Sequence, residues 1–406
     1  MSAALAPEAK RASIQQLRVL IAVSFVDMLG FAIILPLLPF YALRLTATPE
    51  MVGWIIASFS IAQLIAAPVW GRVSDHYGRR PALIIGLTAS AIAFLVFGLA
   101  HSLIVLFLSR IVQGAGGGTT GVAHAYVSDT MAPGDRARAL GWLSAATAAG
   151  VMVGPAIGSG AAHFGHEMPG FVAAALCFLN AWAAWKWLPE SRSAEDRAIP
   201  RVRKPVWHAA WEVVRHPTGP AARLIWIYGV GMMAFSLLTS VLALWLDARF
   251  GVTEKTIGWF FVYNGLLSLV LRSLLLGPVV DRIGEMRAMR LGALILAVGL
   301  MAYTLAPSLW LLAAIIPLVP IGTALLFPAS TSLLSRATPQ EELGTTMGVA
   351  QTFAGIARII APIAGTIAFQ RIGVNAPFLL GGMTMLVVAL VSWRFVRPTT
   401  AIATGR

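Results

Sequence analysis

Twelve apolar runs dominate the sequence, and short polar or Gly/Pro-containing breaks separate each run from the next. An α-helix needs a run of about 20 apolar residues to cross a hydrocarbon layer about 30 Å thick. The runs therefore predict an all-α membrane protein with twelve transmembrane helices. We expect the spans at 18–41, 52–70, 82–100, 103–127, 139–161, 169–188, 222–246, 256–277, 289–305, 308–333, 344–368 and 376–396.

The scarcity of charge argues against a soluble protein. Hydrophobic residues make up 58% of the 406 residues and charged residues 12%, against roughly 45–50% and about 25% in a soluble domain. No phosphate loop or catalytic Ser/His arrangement stands outside the spans, so we do not expect an enzyme. The net charge of +13 would suggest a nucleic-acid partner in a soluble protein, and the positions of the basic residues decide its meaning.

The basic residues indicate the orientation of the chain in the membrane. With both termini in the cytoplasm, most of the 30 Lys and Arg residues fall in cytoplasmic segments, where such residues are enriched. The outer loops then hold only Arg44, Arg249, Lys255 and Arg371. This bias predicts cytoplasmic termini and explains the net charge without nucleic acid.

Cysteine and histidine give no metal site or disulfide. Cys177 is the one cysteine, so no disulfide framework is available. His163 and His166 lie beside Glu167 in a short outer loop, where two histidines are usually solvated. His124, in the fourth span, is expected to be a hydrogen-bonded packing residue, with a second proton site as the alternative.

The chain is organised as two repeats. The longest polar stretch, 189–220, predicts a cytoplasmic linker between an N-terminal six-helix bundle, 1–188, and a C-terminal one, 221–406. Two triplets recur in corresponding loops and helices: Gly71, Asp75 and Gly78 as Gly277, Asp281 and Gly284, and Gly141, Pro155 and Gly158 as Gly348, Pro362 and Gly365. The recurrence predicts two pseudo-symmetric bundles, the plan of transporters that bind substrate between their halves.

Four motifs stand out in the first half. The loop after the second span reads GRVSDHYGRR from Gly71, and the fourth span contains SRIVQG with Arg110. The fifth span reads GVMVGPAIGSG from Gly150, and the first places Asp27 ahead of the sequence PLLP. Over essentially the whole chain these motifs resemble the major facilitator superfamily and, more narrowly, its twelve-helix drug/proton antiporters, which include tetracycline exporters.

The resemblance implies a cytoplasmic latch and a closely packed fifth span. The latch residues would be Gly71, Asp75, Gly78, Arg79, Arg80, Asp129 and Asp281. The antiporter motif would be Gly150, Gly154, Pro155 and Gly158, in which glycines four apart allow a neighbouring helix to approach. Ser159 stands where that motif has a glycine, so one small residue replaces another.

Asp27 and Arg110 are the predicted proton-coupling residues. Asp27 is the one acid well inside a span, and helix geometry puts Asp27 and Arg110 at similar depths, roughly 6 Å apart along the membrane normal. An arginine in hydrocarbon normally faces a cavity or a carboxylate, so we expect the two to pair. A carboxylate that protonates when it is desolvated, and ionises beside an arginine, can exchange its proton. The alternative is a static ion pair.

The predicted substrate cavity combines aromatic, amide and cationic side chains. Its candidates are Phe31, Gln113, Asn264, Arg272, Gln351 and Arg358. Tetracycline exporters generally keep an acid in helix nine, whereas the ninth span here has none. That departure argues against tetracycline and leaves a cationic cavity suited to anionic, zwitterionic or lipid-like amphiphiles. In the alternative, Arg272 extends to the membrane surface and Arg358 binds backbone carbonyls.

The sequence thus predicts a proton-coupled antiporter in a bacterial inner membrane. It would export small amphipathic compounds or drugs by alternating access, as a monomer in the lipid bilayer, with the proton as coupling ion and no cofactor. Alternatives are a symporter or facilitator of the same fold for a metabolite or lipid-like anion, and a non-transporting receptor or scaffold.

Overall fold

The computed structural model describes residues 7–132, 134–191, 206–274, 276–339 and 341–395, and every regular element in these ranges is a helix. The helices before the linker are α1 (Pro7–Ile34), α2 (Leu38–Arg44), α3 (Pro49–Tyr77), α4 (Arg79–Gly98), α5 (Leu103–Gly116), α6 (Thr119–Thr130), α7 (Arg136–Ala161) and α8 (Met168–Trp187). Those after it are α9 (Val206–Arg215), α10 (Pro220–Phe250), α11 (Ile257–Leu274), α12 (Leu276–Ile283), α13 (Glu285–Tyr303), α14 (Leu309–Ile315), α15 (Leu318–Arg336), α16 (Leu343–Arg371) and α17 (Ala376–Phe395).

The predicted membrane-spanning architecture is confirmed. In the described residues, eleven helical stretches are long and apolar enough to cross a bilayer, and a twelfth results if Ile257–Arg272 and Gly277–Ile283 form one span bent by 48°. Several spans consist of two helices, as in Leu103–Thr130, which contains α5 and α6. The chain is therefore a multi-pass helical membrane protein.

The described residues divide into two compact units. The first holds 7–191 together with Val252–Gly265, and the second holds 206–251 and 266–395. Of the predicted linker, residues 192–205 lie outside the described residues. The part that is described includes the ten-residue helix α9, which exposes Trp207 and Trp211.

In the first unit, α1 packs against α7 and α8, and α4 packs against α8. The α1–α7 contact depends on the glycines of the fifth span. A methyl group at Gly150 would lie 2.5 Å from the carbonyl oxygen of Phe25, and one at Gly158 would lie 2.5 Å from that of Ile33. The two backbones approach this closely because no side chain separates them, which is how helices associate in a membrane.

In the second unit, α10 packs against α16, and α13 packs between α15 and α17. A buried aromatic cluster closes one end of this unit. The Trp245 ring lies 5.0 Å from Phe378 and 6.1 Å from Tyr303, and its Nε1 donates a hydrogen bond to Asn375 Oδ1 at 2.9 Å. Thus the indole is buried with its polar atom satisfied.

We predict that Gly150→Ala destabilises the protein by roughly 1–3 kcal/mol, because the added methyl group must push α1 away from α7. Thermal unfolding in detergent, followed by loss of the monodisperse species, measures this effect.

Gly160→Ala is the matched control, because nothing lies within 4 Å of a methyl group there. It should be neutral or slightly stabilising, since alanine favours a helix more than glycine does. Equal unfolding temperatures for the two variants would contradict this account of the α1–α7 contact.

Candidate functional site

Asp27 lies in the membrane-embedded part of α1 and is 9% exposed. Thr119 at the start of α6 donates its Oγ1 hydrogen to Asp27 Oδ2 at 2.8 Å. A small cavity lined by Ser24, Asp27, Thr119 and Thr147, among others, adjoins the carboxyl. Of the acids in the described residues, only Asp27 and Glu254 are buried. The structure therefore places a nearly enclosed carboxyl group with one hydrogen-bond donor in the first unit.

Thr119 follows a break that the sequence did not reveal. The predicted fourth span divides into α5 and α6 at Gly117 and Gly118. Two side chains of α3 bind carbonyls that the break releases: Gln63 Nε2 donates to Gly117 O at 3.2 Å, and Trp70 Nε1 donates to Ala115 O at 2.5 Å. The break is thus stabilised by hydrogen bonds inside the helical bundle, and it sits directly beside the hydrogen-bond donor of Asp27.

The predicted Asp27–Arg110 pair is not formed. In the described part of the chain, neither residue has an ion-pair partner. Arg110 is 2% exposed, its guanidinium lies 5.1 Å from the centre of the Phe59 ring, and its Nε has no hydrogen-bond partner among the described residues. Helix rise predicts similar depths for the two groups, but it does not predict the direction in which each side chain points.

The predicted cavity residues are distributed over both units. Phe31 packs against Phe59 at 5.2 Å, which brings it to the ring that Arg110 covers. Gln113 is buried one turn from Arg110, and its Oε1 has no partner among the described residues. These side chains form a cationic and aromatic cluster within the first unit, in which Arg110 and Gln113 are buried and the two phenylalanines are half-buried.

The second-half candidates do not form a comparable cluster. Arg272 and Arg358 are exposed, and in the described ranges neither makes an ion pair. Asn264 is partly buried and belongs to the first unit. Gln351 Nε2 donates to the Tyr228 hydroxyl at 3.3 Å, which identifies Tyr228 as a polar neighbour that the sequence did not single out.

The α3–α4 junction assembles four of the predicted latch residues. Gly78 has a φ of +107°, which glycine adopts at little cost. The Arg79 side chain is fully buried, with Nη2 2.7 Å from Asp75 Oδ1 and Nε 2.9 Å from Asp129 Oδ2. Arg79 Nη1 also donates to Ser74 Oγ at 2.6 Å. All five residues belong to the first unit. The buried guanidinium of Arg79 is neutralised there by two carboxylates from different helices.

Glu190 completes this junction. Its Oε1 accepts from the Arg79 amide at 2.8 Å and its Oε2 from the Arg80 amide at 3.1 Å. The Arg80 guanidinium donates to the Trp185 carbonyl. A carboxylate is stabilised at a helix N-terminus by the free amides and the helix dipole. The chain after α8 is therefore fastened to the start of α4 by a residue that the sequence assigned only to the linker.

The second repeat contains the same pair with its charges exchanged. The repeat places Glu285 at the position of Arg79 and Arg336 at that of Asp129. Arg336 Nη2 lies 3.0 Å from Glu285 Oε1, and Ser332 Oγ donates to the same oxygen at 2.7 Å. Gly284 repeats the positive φ, at +80°. Asp281, the counterpart of Asp75, is exposed and makes no ion pair among the described residues.

Two units of membrane-spanning helices with matched loop motifs define a polytopic membrane protein built from a repeat. A family model described as the Major Facilitator Superfamily matches residues 20–249 and 224–405. The chain belongs to this superfamily. The relatives and solved structures that match it are transporters rather than enzymes.

Named relatives cover most of the chain. It is 30% identical over 368 residues to multidrug resistance protein 2 of Bacillus subtilis strain 168, covering 89% of this chain and 90% of the relative. It is 24% identical to the class B tetracycline resistance protein of Escherichia coli, covering 87% and 88%. Among solved structures, the human organic anion transporter MFSD10 has a TM-score of 0.69 at 21% identity, over 94% of this chain and 99% of that one.

We predict that Asp75→Asn lowers stability by roughly 1–3 kcal/mol, because the buried Arg79 loses one of its two carboxylates. Thermal unfolding of the purified protein measures the change.

The repeat supplies the control. Asp281→Asn makes the same substitution at the corresponding exposed position, and it should shift stability by less than about 0.5 kcal/mol. If both variants unfold at the temperature of the unmodified protein, the Arg79 network does not stabilise the fold.

Proposed function

We propose that the chain exports small amphipathic compounds, including drugs, across a bacterial inner membrane in exchange for protons. The multidrug and tetracycline resistance relatives support drug export. The buried carboxyl of Asp27 is the observation that supports proton coupling, because a coupling group must be shielded from free exchange with water on both sides at once.

In the proposed cycle, Asp27 binds a proton when its surroundings open to the outer side and releases it to the cytoplasm. Thr119 stabilises the ionised form through its hydroxyl hydrogen. Because Thr119 follows the α5–α6 break, a shift of α6 relative to α5 would change this contact. Arg110 would favour ionisation by approaching Asp27 in another state of the cycle. The exchange then links the proton to a rearrangement of the helices.

Alternating access by rocking of the two halves would expose the substrate site to each side in turn. We place both termini in the cytoplasm from the distribution of basic residues. In this orientation the α3–α4 junction lies at the cytoplasmic face, where the Arg79 network would act as the latch with Gly71, Arg80 and Asp281. The working unit would be a monomer in the bilayer with no cofactor.

The substrate would be an amphiphile that carries a negative charge or both charges. Arg110 is buried over the Phe59 ring, which in turn packs against Phe31, and it has no carboxylate partner among the described residues. The α13 helix, Glu285–Tyr303, carries no acid after its first residue. Both features favour an anionic or zwitterionic compound with an aromatic part over a purely cationic drug.

We predict that Asp27→Asn abolishes export driven by a pH gradient while substrate binding persists, because asparagine has the shape of aspartate but does not carry a proton in exchange. In everted vesicles, acidifying the lumen should drive accumulation of a fluorescent amphiphilic anion by the unmodified protein and not by the variant. A ligand-induced shift in thermal unfolding measures binding.

Asp135→Asn removes an exposed carboxylate just before α7, outside the residues proposed for coupling and for the latch, and should retain gradient-driven accumulation. Undiminished accumulation by Asp27→Asn would overturn the coupling role of Asp27.

A further inference from the structure

The second buried acid, Glu254, holds a segment of the chain in place. Helix α10 ends at Phe250 and is capped by Gly251, which has a left-handed φ of +65°, and the chain then enters Val252–Gly265. This segment groups with the first unit although it follows the seventh span. It therefore depends on contacts with helices that are distant in sequence.

Two side chains, an arginine and a histidine, bind the Glu254 carboxylate. Arg44 Nη2, at the end of α2, lies 2.7 Å from Glu254 Oε1, and His166 Nδ1, in the loop before α8, lies 2.9 Å from the same oxygen. The Glu254 side chain is 5% exposed, whereas Arg44 is 42% and His166 54% exposed. Because the Glu254 carboxylate is buried, its negative charge is stabilised by these side chains rather than by water. The exposed His166 ring is accessible to solvent protons.

The backbone of the segment is bound by Ser159. Its Oγ donates to the Glu254 carbonyl at 2.8 Å and accepts from the Gly258 amide at 2.8 Å. Gly258 lies in the first turn of α11, where amides lack helical partners. A glycine at 159, as in the motif that this span resembles, could make neither bond. Ser159 is thus more than a small residue at a packing position.

We propose that Arg44, Ser159, His166 and Glu254 form a proton-responsive lock, the Glu254 clasp, which holds Val252–Gly265 on the first unit. Helix α3 begins five residues after Arg44 and ends at the Arg79 network, so the clasp lies at the opposite end of α3. In the proposed orientation this end faces outward. Opening toward the outside would require the clasp to release the segment.

Histidine is the side chain whose charge ordinarily changes between about pH 5 and pH 8. When His166 is protonated, Glu254 pairs with two cations, and when it is neutral the carboxylate keeps one. The other titratable groups around the clasp are Tyr41 on α2, Glu167 beside His166, His163 after α7, and Lys255 on the segment itself.

These charges determine whether the clasp becomes stronger or weaker as the pH changes. Taking up a proton at His166 strengthens the clasp, and losing it weakens the clasp. The outer side is then held shut most firmly when outside protons are most abundant, which opposes an uncoupled inward flow of protons. A substrate-loaded transporter would open by overcoming this contact.

The test measures access to the segment with a membrane-impermeant maleimide. The reporter is Ile257→Cys, at a fully buried position of the segment, in a Cys177→Ala background. Its labelling rate is divided by that of Phe164→Cys, a position 85% exposed in the loop before α8, which corrects for the effect of pH on the thiol reaction. We expect the normalised rate at pH 8 to be about fivefold the rate at pH 6, the factor that one partly exposed ion pair supplies.

Variants assign the response to the clasp. His166→Asn should remove the pH dependence, and His101→Asn, at an exposed histidine outside the clasp, should retain it. Glu254→Gln should give fast labelling at both pH values. Ser159→Gly should raise both rates while keeping their ratio. Arg44→Gln, which changes only an exposed partner, tests the same contact if Glu254→Gln fails to fold.

A pH response that survives in His166→Asn, or slow labelling in both Glu254→Gln and Arg44→Gln, would overturn the proposal. The clasp rests on the proposed orientation and on alternating access, but labelling requires neither substrate nor a proton gradient. A failure of antiport in Asp27 experiments would therefore be distinguishable from a failure of the clasp.

Discussion

The direct contact between the backbones of α1 and α7 is the interaction on which the first unit depends. Water does not drive helices together inside a bilayer, so close packing must supply much of the association energy. The glycines of α7 allow α1 to lie against it, and α1 carries Asp27. The same contact that stabilises the unit therefore fixes the depth and surroundings of the carboxyl group.

The exchanged charges of the two repeats show what the α3–α4 junction requires. Arg79 and Asp129 in the first unit correspond to Glu285 and Arg336 in the second, and each pair bridges two helices. The stabilising feature is a pair of opposite charges across the junction rather than a particular residue at either position. The pairs differ in burial: Arg79 is enclosed, whereas Arg336 is 74% exposed. By general energetics the first junction should contribute more to stability than the second.

Hydropathy and motif spacing predicted most of the architecture. Span length follows from bilayer thickness, so the apolar runs located the helices. The family resemblance implied that Asp75, Arg79 and Asp129 belong to one network, and in the structure Arg79 pairs with both acids. Sequence could not reveal the partners of Asp27 and Arg110, because depth along a helix does not determine which way a side chain points. Glu190 and Glu254 were also missed. Both lie in polar segments, where an acid gives no signal until a distant helix supplies its hydrogen-bond donors.

The break between α5 and α6 has a consequence for motion within the membrane. An interrupted helix in hydrocarbon leaves backbone groups that lipid cannot satisfy. Here Gln63 and Trp70 bind the released carbonyls from α3, so the interruption is tolerated in the interior. A rigid rod spanning the bilayer would transmit any tilt along its whole length. Two shorter helices joined at Gly117 and Gly118 transmit a tilt less directly than one continuous helix, and this joint lies next to Thr119, the hydrogen-bond donor of Asp27.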